Sequence, residues 1–310
     1  MGPRRRRARI SAPTLVALAM GVGLIVLSRL LASAQSPPRP SSLRTVVWDF
    51  PQTPVGPMRA VVMLPPGAPQ GARLPLLLAL HGWGETLRGV ERGAFGWSRD
   101  YELGASDREL RMRSLRREAF LGHVDDGRFQ QLRRDLAARP YRGMVVVAPF
   151  TPDVLGVDAG TLQSGFDRWV VETLVPRARR ELPVLADRAA TGIDGVSLGG
   201  LHSLEIGLAH PEVFGVVGAL QPAVRGRIDR VLSRYVPSPS RPPQRVRLVT
   251  SRGDVYRRDV SALDAAMRAR GIAHDLRVVA GPHDYVFNRG PGGVEMLLFH
   301  DRALRGLPAE

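Results

Sequence analysis

The stretch that most constrains the fold is Ala189 to Val217, AATGIDGVSLGGLHSLEIGLAHPEVFGVV. A short apolar run reaches Ile193. Asp194-Gly195-Val196-Ser197-Leu198-Gly199-Gly200 follows, and then a helical pattern that ends near His210-Pro211. Strand, sharp turn and helix, with a serine at the apex between glycines, is the arrangement of a nucleophile elbow. A serine hydroxyl must be lifted off the end of a strand on a strained turn if a base is to reach it. Gly195 and Gly199 stand two residues either side, where side chains would collide with the neighbouring strand and helix. The helix that opens at Leu198 aims its first N–H groups and its positive end at charge developing on an oxygen. In a chain with 33 glycines the pattern G-x-S-x-G can arise by chance, but here it sits between a strand and a helix. Ser197 is the candidate nucleophile.

The chain is 310 residues long with 44% hydrophobic content, ample for one large core. Its formal charge of +15 resembles that of a nucleic-acid or membrane binder. All 44 basic residues, however, are arginine, which points to codon bias in a GC-rich genome. Six of them (Arg4, Arg5, Arg6, Arg7, Arg9 and Arg29) precede residue 35 with no acid among them, so the remainder carries about +9, thinly spread. Dispersed arginines without a recognition motif argue against nucleic acid as a partner. The absence of lysine excludes Schiff-base, Ser-Lys and P-loop chemistry.

Residues 1–34 read as a targeting segment. Arg4 to Arg9 form the charged region, Ala12 to Ser28 are almost wholly apolar, and Ala32-Ser33-Ala34 matches a small-residue cleavage pattern. The alternative is an uncleaved membrane anchor, since about 17 apolar residues is near the lower spanning limit. Both place the protein outside the cytoplasm, in the periplasm or beyond, with anchoring to the inner membrane in the second case. With no cysteine, neither a lipoprotein anchor nor a disulfide is available. Residues 35–44, which include SPPRPSS, read as a proline-rich linker, and 45–310 as one domain.

Within that domain, Thr45 to Phe50 and Met58 to Leu64 predict opening antiparallel strands. Leu74 to Leu80, Met144 to Ala148, Phe214 to Leu220, Arg245 to Thr250 and Leu276 to Ala280 predict later ones. Helices are predicted at Phe166 to Glu181, where Pro176 should kink the chain, at Ser261 to Arg270 and at Gly292 to Leu304. Strands alternating with helices imply a mostly parallel central sheet covered on both faces. Leu87 to Arg142 is long for a connection and predicts either a lid over the site or a solvated helical face, with Phe95, Trp97 and Tyr101 as candidate pocket lining. Gln221 to Arg245 reads as a basic, proline-rich loop.

The apolar run to Leu80 ends at His81-Gly82-Trp83-Gly84-Glu85-Thr86. Glycines here let backbone N–H groups face a carbonyl oxygen unobstructed. The oxyanion donors are assigned to the amides of Trp83 and Leu198, with Gly82 and Trp83 also facing the substrate. His81 reads as a buried brace. A serine nucleophile needs an imidazole base, and the imidazole a carboxylate. Of seven histidines, only His283 falls on a loop after a late strand. Asp254 lies directly after the strand before it. Asp259 is the runner-up, explained by the start of the next helix, and Asp284 adjoins the base and reads as local structure.

HGWGET after a buried strand, the block around Ser197 and the late SRGD and GPHDY segments together resemble the Putative esterase family of α/β-hydrolases. Esterase D-type enzymes, feruloyl and enterochelin esterases and mycolyltransferases belong to that family. The resemblance spans about residues 58–305. It implies an α/β-hydrolase fold and carboxylic-ester hydrolysis, with Ser197, His283 and Asp254 as triad and Trp83 and Leu198 at the oxyanion hole. The long Leu87 to Arg142 segment departs from the compact members. The leading reading is an exported serine esterase needing no cofactor or metal, acting on a small-molecule or glycan-linked ester. Acyl transfer and peptidase variants stay open. The contrasting reading is a non-catalytic, envelope-associated binding protein on the same fold.

Overall fold

The computed structural model describes residues 43–67, 71–112, 115–153, 159–237, 240 and 242–308. The targeting segment and all of the linker before Leu43 lie outside the described residues. The first strand already begins at Arg44, one residue inside the expected linker. Among the described residues no helix is long and apolar enough to cross a membrane.

Eight strands form one sheet. They are β1 (Arg44–Phe50), β2 (Met58–Leu64), β3 (Leu76–Leu80), β4 (Val145–Pro149), β5 (Thr191–Gly195), β6 (Val216–Leu220), β7 (Arg245–Gly253) and β8 (Asp275–Pro282). Their order is β1-β2-β4-β3-β5-β6-β7-β8. β1 and β2 pair antiparallel, as do β2 and β4, and every other pairing is parallel. Burial explains the two kinds of strand sequence. β3 and β4 are buried at every position and read as unbroken apolar runs, whereas β1, at one edge, buries only Trp48 and Phe50.

The described helices are α1 (Trp83–Thr86), α2 (Gly89–Gly93), α3 (Leu103–Arg111), α4 (Asp126–Ala138), α5 (Ala159–Trp169), α6 (Val175–Glu181), α7 (Leu198–Ala209), α8 (Ile228–Ser233), α9 (Arg257–Ala269), α10 (Tyr285–Phe287) and α11 (Gly293–Ala303). α7 packs on β3, β5 and β6, and α9 on β7. The interruption expected at Pro176 is a π-helical turn, Val170–Leu174, which ends just before α6. Pro176 then lies in the first turn of α6, where a missing N–H costs little. The region from Gln221 to Arg245 is not all loop, since α8 forms within it.

The segment expected as a lid or a solvated face carries α2, α3 and α4. Its inner side is core: Leu103 and Leu110 are fully buried, and α3 packs on α11. Trp97 and Tyr101 do not line a pocket as expected. Both are buried, and the Trp97 indole N–H donates to the Leu80 carbonyl at 2.9 Å. An indole so bonded braces the end of β3. Phe95 is half-buried, with Arg99 over its ring at 5.2 Å.

Candidate active site

Ser197 stands between β5 and α7 with φ of 56° and ψ of −114°. That conformation costs a non-glycine residue about 1–3 kcal/mol. The surroundings hold it there. Its N–H donates to Leu220 O at 2.9 Å, and its carbonyl accepts from Leu201 N at 3.1 Å and Ala223 N at 3.0 Å. Leu201, Leu204, Ile206 and Leu208 of α7 are completely buried. At about 1.5–3 kcal/mol each, they outweigh the strain of the turn. The flanking glycines are required by close approach. A Cβ at Gly195 would lie 2.9 Å from Leu80 Cβ and clash with the Gly199 carbonyl; one at Gly199 would lie 2.7 Å from His81 O.

The histidine and aspartate expected from the sequence meet this serine. His283 Nε2 lies 3.0 Å from Ser197 Oγ, and His283 Nδ1 lies 2.8 Å from Asp254 Oδ1. With Nδ1–H donating to the carboxylate, Nε2 is left to accept from the hydroxyl. Asp254 is itself fixed, since Oδ2 accepts from the Thr250 hydroxyl at 2.6 Å and Oδ1 from Tyr256 N at 2.9 Å. The Tyr256 ring meets the imidazole edge-on at 5.2 Å. One contribution was not anticipated. Buried Gln221 donates through Nε2 to Ser251 Oγ at 2.7 Å and to Pro282 O at 2.8 Å, tying the turn after β6 to the residue before His283. Its φ of 45° is the only local sign of that task, and sequence does not display it.

The loop after β3 closes over the serine. A Cβ at Gly82 would lie 3.7 Å from Ser197 Cβ. The Gly82 N–H is already used, since it donates to the Tyr101 hydroxyl at 3.1 Å. The N–H groups of Trp83 and Leu198 open α1 and α7, and neither donates to another group among the described residues. Trp83 is 42% exposed, and its indole N–H donates to Asp153 at 3.2 Å.

His81, His202, His210, His274 and His300, and the acids Asp259 and Asp284, have other partners. His81 is buried; Nε2 accepts from Thr151 N at 2.8 Å, and Nδ1 lies 2.9 Å from Gly82 O. Burial pushes its pKa down to about 4, so it is a neutral brace. Buried His202 lies 3.2 Å from Pro152 O and is pushed down to about 3 by the same cause. His210 lies between Asp167 and Glu212, and His274 beside Asp264. Asp259 pairs with Arg225 in the first turn of α9. The Asp284 side chain caps α10, accepting from Val286 N at 2.8 Å. Asp194, three residues before the serine, is fully buried with His300, whose Nε2 lies 2.9 Å away. The aspartate fits because residue 218, on the adjacent strand, is glycine; a Cβ there would overlap the carboxylate. Among the described residues no group of three or more histidines and acids is placed to hold a metal ion.

The comparisons with known proteins agree with this architecture. The family described as Putative esterase matches residues 154–287. No curated protein matches the chain. Among solved structures, a ferulic acid esterase is similar at 16% identity and a TM-score of 0.60, covering 86% of this chain and 100% of its own. An S-formylglutathione hydrolase from Staphylococcus aureus is 12% identical with a TM-score of 0.58, covering 84% and 100%. One from Agrobacterium tumefaciens is 18% identical with a TM-score of 0.57, covering 87% and 99%. At such identities the likeness is one of fold. The family that the motifs resemble is therefore the family matched, with Ser197, Asp254 and His283 all within residues 154–287, on the α/β-hydrolase fold.

Proposed function

We propose that this chain is a serine esterase in which Ser197 is the nucleophile, His283 the base and Asp254 its orienting acid. One observation carries the reading: the unbroken path from Ser197 Oγ through His283 to Asp254, at 3.0 and 2.8 Å. His283 Nε2 takes the hydroxyl proton as Ser197 Oγ bonds to the ester carbonyl carbon. The carbonyl oxygen becomes an oxyanion, stabilised by the N–H groups of Trp83 and Leu198. The C–O bond to the leaving alcohol then breaks, and that oxygen takes the proton from His283. Water repeats the sequence. Its proton goes to His283, its oxygen joins the acyl carbon, and the bond to Ser197 Oγ breaks with return of the proton. Asp254 accepts the Nδ1–H throughout and stabilises the imidazolium in each half-reaction.

The substrate is a small carboxylic ester, in keeping with the ester-cleaving names of the similar structures. Exposed Trp83, next to Gly82 in the loop that approaches Ser197, offers an apolar surface beside the serine. Hydrolysis of short- and medium-chain p-nitrophenyl esters by the full chain, beside Ser197→Ala, tests the reading. Turnover that disappears in the variant while its fold persists is the expected result. Failure of a fluorophosphonate to label Ser197 in the parent protein would overturn it. The reading includes export, on the strength of the charged, apolar and small-residue pattern in residues 1–34. Mass spectrometry of protein recovered outside the cytoplasm is the check, and full-length chain confined to the cytoplasm would contradict it.

A further inference from the structure

β3 and β8 are separated in the sheet by β5, β6 and β7. The loop after β3 brings Trp83, and the end of β8 brings His283. The two strands do not pair with each other, and the loops that follow them are joined directly by side chains. Glu85, the third residue of α1, is 1% exposed and reaches both. Its Oε2 accepts the hydroxyl of Tyr101, and its Oε1 accepts the hydroxyl of Tyr285. Tyr101 OH in turn accepts the Gly82 N–H at 3.1 Å, one residue before the Trp83 amide. Tyr285 lies two residues after His283, and its hydroxyl accepts from Arg88 Nη2 at 2.8 Å. Arg88 is held at its other nitrogen by Asp100 at 2.7 Å. The two tyrosine rings are 5.7 Å apart, and Tyr101 meets Trp97 edge-on at 5.0 Å. Burial and the adjacent carboxylate raise both phenols above their ordinary range, so each remains an O–H donor.

We infer that Glu85 is a positioning residue that fixes the oxyanion loop against the histidine loop, with Tyr101 as one arm and Tyr285 as the other. The inference rests on the serine-esterase reading. A carboxylate suits the task because its two oxygens accept both hydroxyls at once. A carboxamide has one oxygen and an NH2 group that cannot accept, so one tyrosine loses its partner. The arm through Tyr101 has a second effect. By occupying the Gly82 N–H, it leaves the next amide, that of Trp83, as the free donor beside Ser197.

The test compares Glu85→Gln, Tyr101→Phe and Tyr285→Phe with the parent and Ser197→Ala. It measures kcat and KM on p-nitrophenyl butyrate per titrated active site, and inhibition by a trifluoromethyl ketone that forms a tetrahedral adduct. Glu85→Gln is expected to lower kcat about 10- to 100-fold, the scale of a reacting group displaced by an ångström or less, with KM within about threefold. Affinity for the ketone should fall in parallel. Tyr101→Phe keeps the ring, removes only the hydroxyl bridge, and should show the same kcat-selective loss if Glu85→Gln does not fold. A melting point lowered with kcat per active site within about twofold of the parent, in both Glu85→Gln and Tyr101→Phe, would make the network merely structural and overturn the inference. If Ser197→Ala instead retained full turnover, the esterase reading itself would fail.

Discussion

Two histidine–aspartate pairs lie in this molecule at nearly the same spacing, 2.8 Å for His283 with Asp254 and 2.9 Å for His300 with Asp194. Both aspartates are buried, and Asp194 is only three residues from Ser197 in the chain. The pairs differ in what faces the second ring nitrogen. His283 Nε2 faces a hydroxyl, and its side chain is 18% exposed. His300 Nδ1 has no hydrogen-bond partner among the described residues, and its ring is enclosed between α11 and β5. Burial pushes the His300 pKa down although Asp194 pulls it up, so the ring stays neutral and serves as a tether beneath the elbow. An imidazole beside a carboxylate is thus not in itself a site. Access and a hydroxyl at the far nitrogen distinguish the two pairs.

That contrast can be broken experimentally. The largest expected effect is in Ser197→Ala, which should lose about 10⁴-fold or more in kcat with an unchanged circular dichroism spectrum. Retained turnover would erase the distinction between the pairs. Asp254→Asn should follow at about 10³- to 10⁴-fold in kcat, because the imidazole loses the acceptor that selects its tautomer. His300→Ala should do the opposite. It should remove about 3–5 kcal/mol of stability in urea titration, leaving a buried carboxylate and a cavity, while kcat per folded molecule changes by less than about tenfold.

A subtler expectation concerns pH. His81 and His202 titrate near 4 and 3 in the folded protein, below the ordinary histidine range. The unfolded chain therefore takes up protons first as pH falls. Their stabilisation is fully present above about pH 6.5 and is lost as pH drops toward 4. Each should cost about 2 kcal/mol between pH 7 and 5. The urea midpoint should fall over that interval, and His202→Leu should flatten the slope by about half. No change in midpoint from pH 7 to 5 would contradict the buried, neutral assignment.

Much of this architecture is legible in the sequence wherever one residue's environment is set by its neighbours along the chain. Continuous apolar runs mark β3 and β4, and the glycines around Ser197 report a turn too tight for side chains. His283 emerges because the other histidines fall before the serine or in helices, strands and insertions. The less legible parts depend on contacts between distant segments. Trp97 and Tyr101 look like pocket lining by type, but both are buried, bonded to the Leu80 carbonyl and to Glu85 respectively. Glu85 reads as one more polar residue after a strand. Its partners lie 16 and 200 positions away, and no periodicity records them. Gln221 is hidden in the same way, in a stretch whose prolines and arginines suggest only a loop.

The fit of Asp194 against Gly218 also links three elements of the fold. A methyl group at position 218 overlaps the Asp194 carboxylate, so Gly218→Ala requires that side chain to move. Any such movement disturbs the contact with His300, 2.9 Å away. A change as small as one methyl group on β6 is therefore felt on α11, relayed by a single side chain of β5.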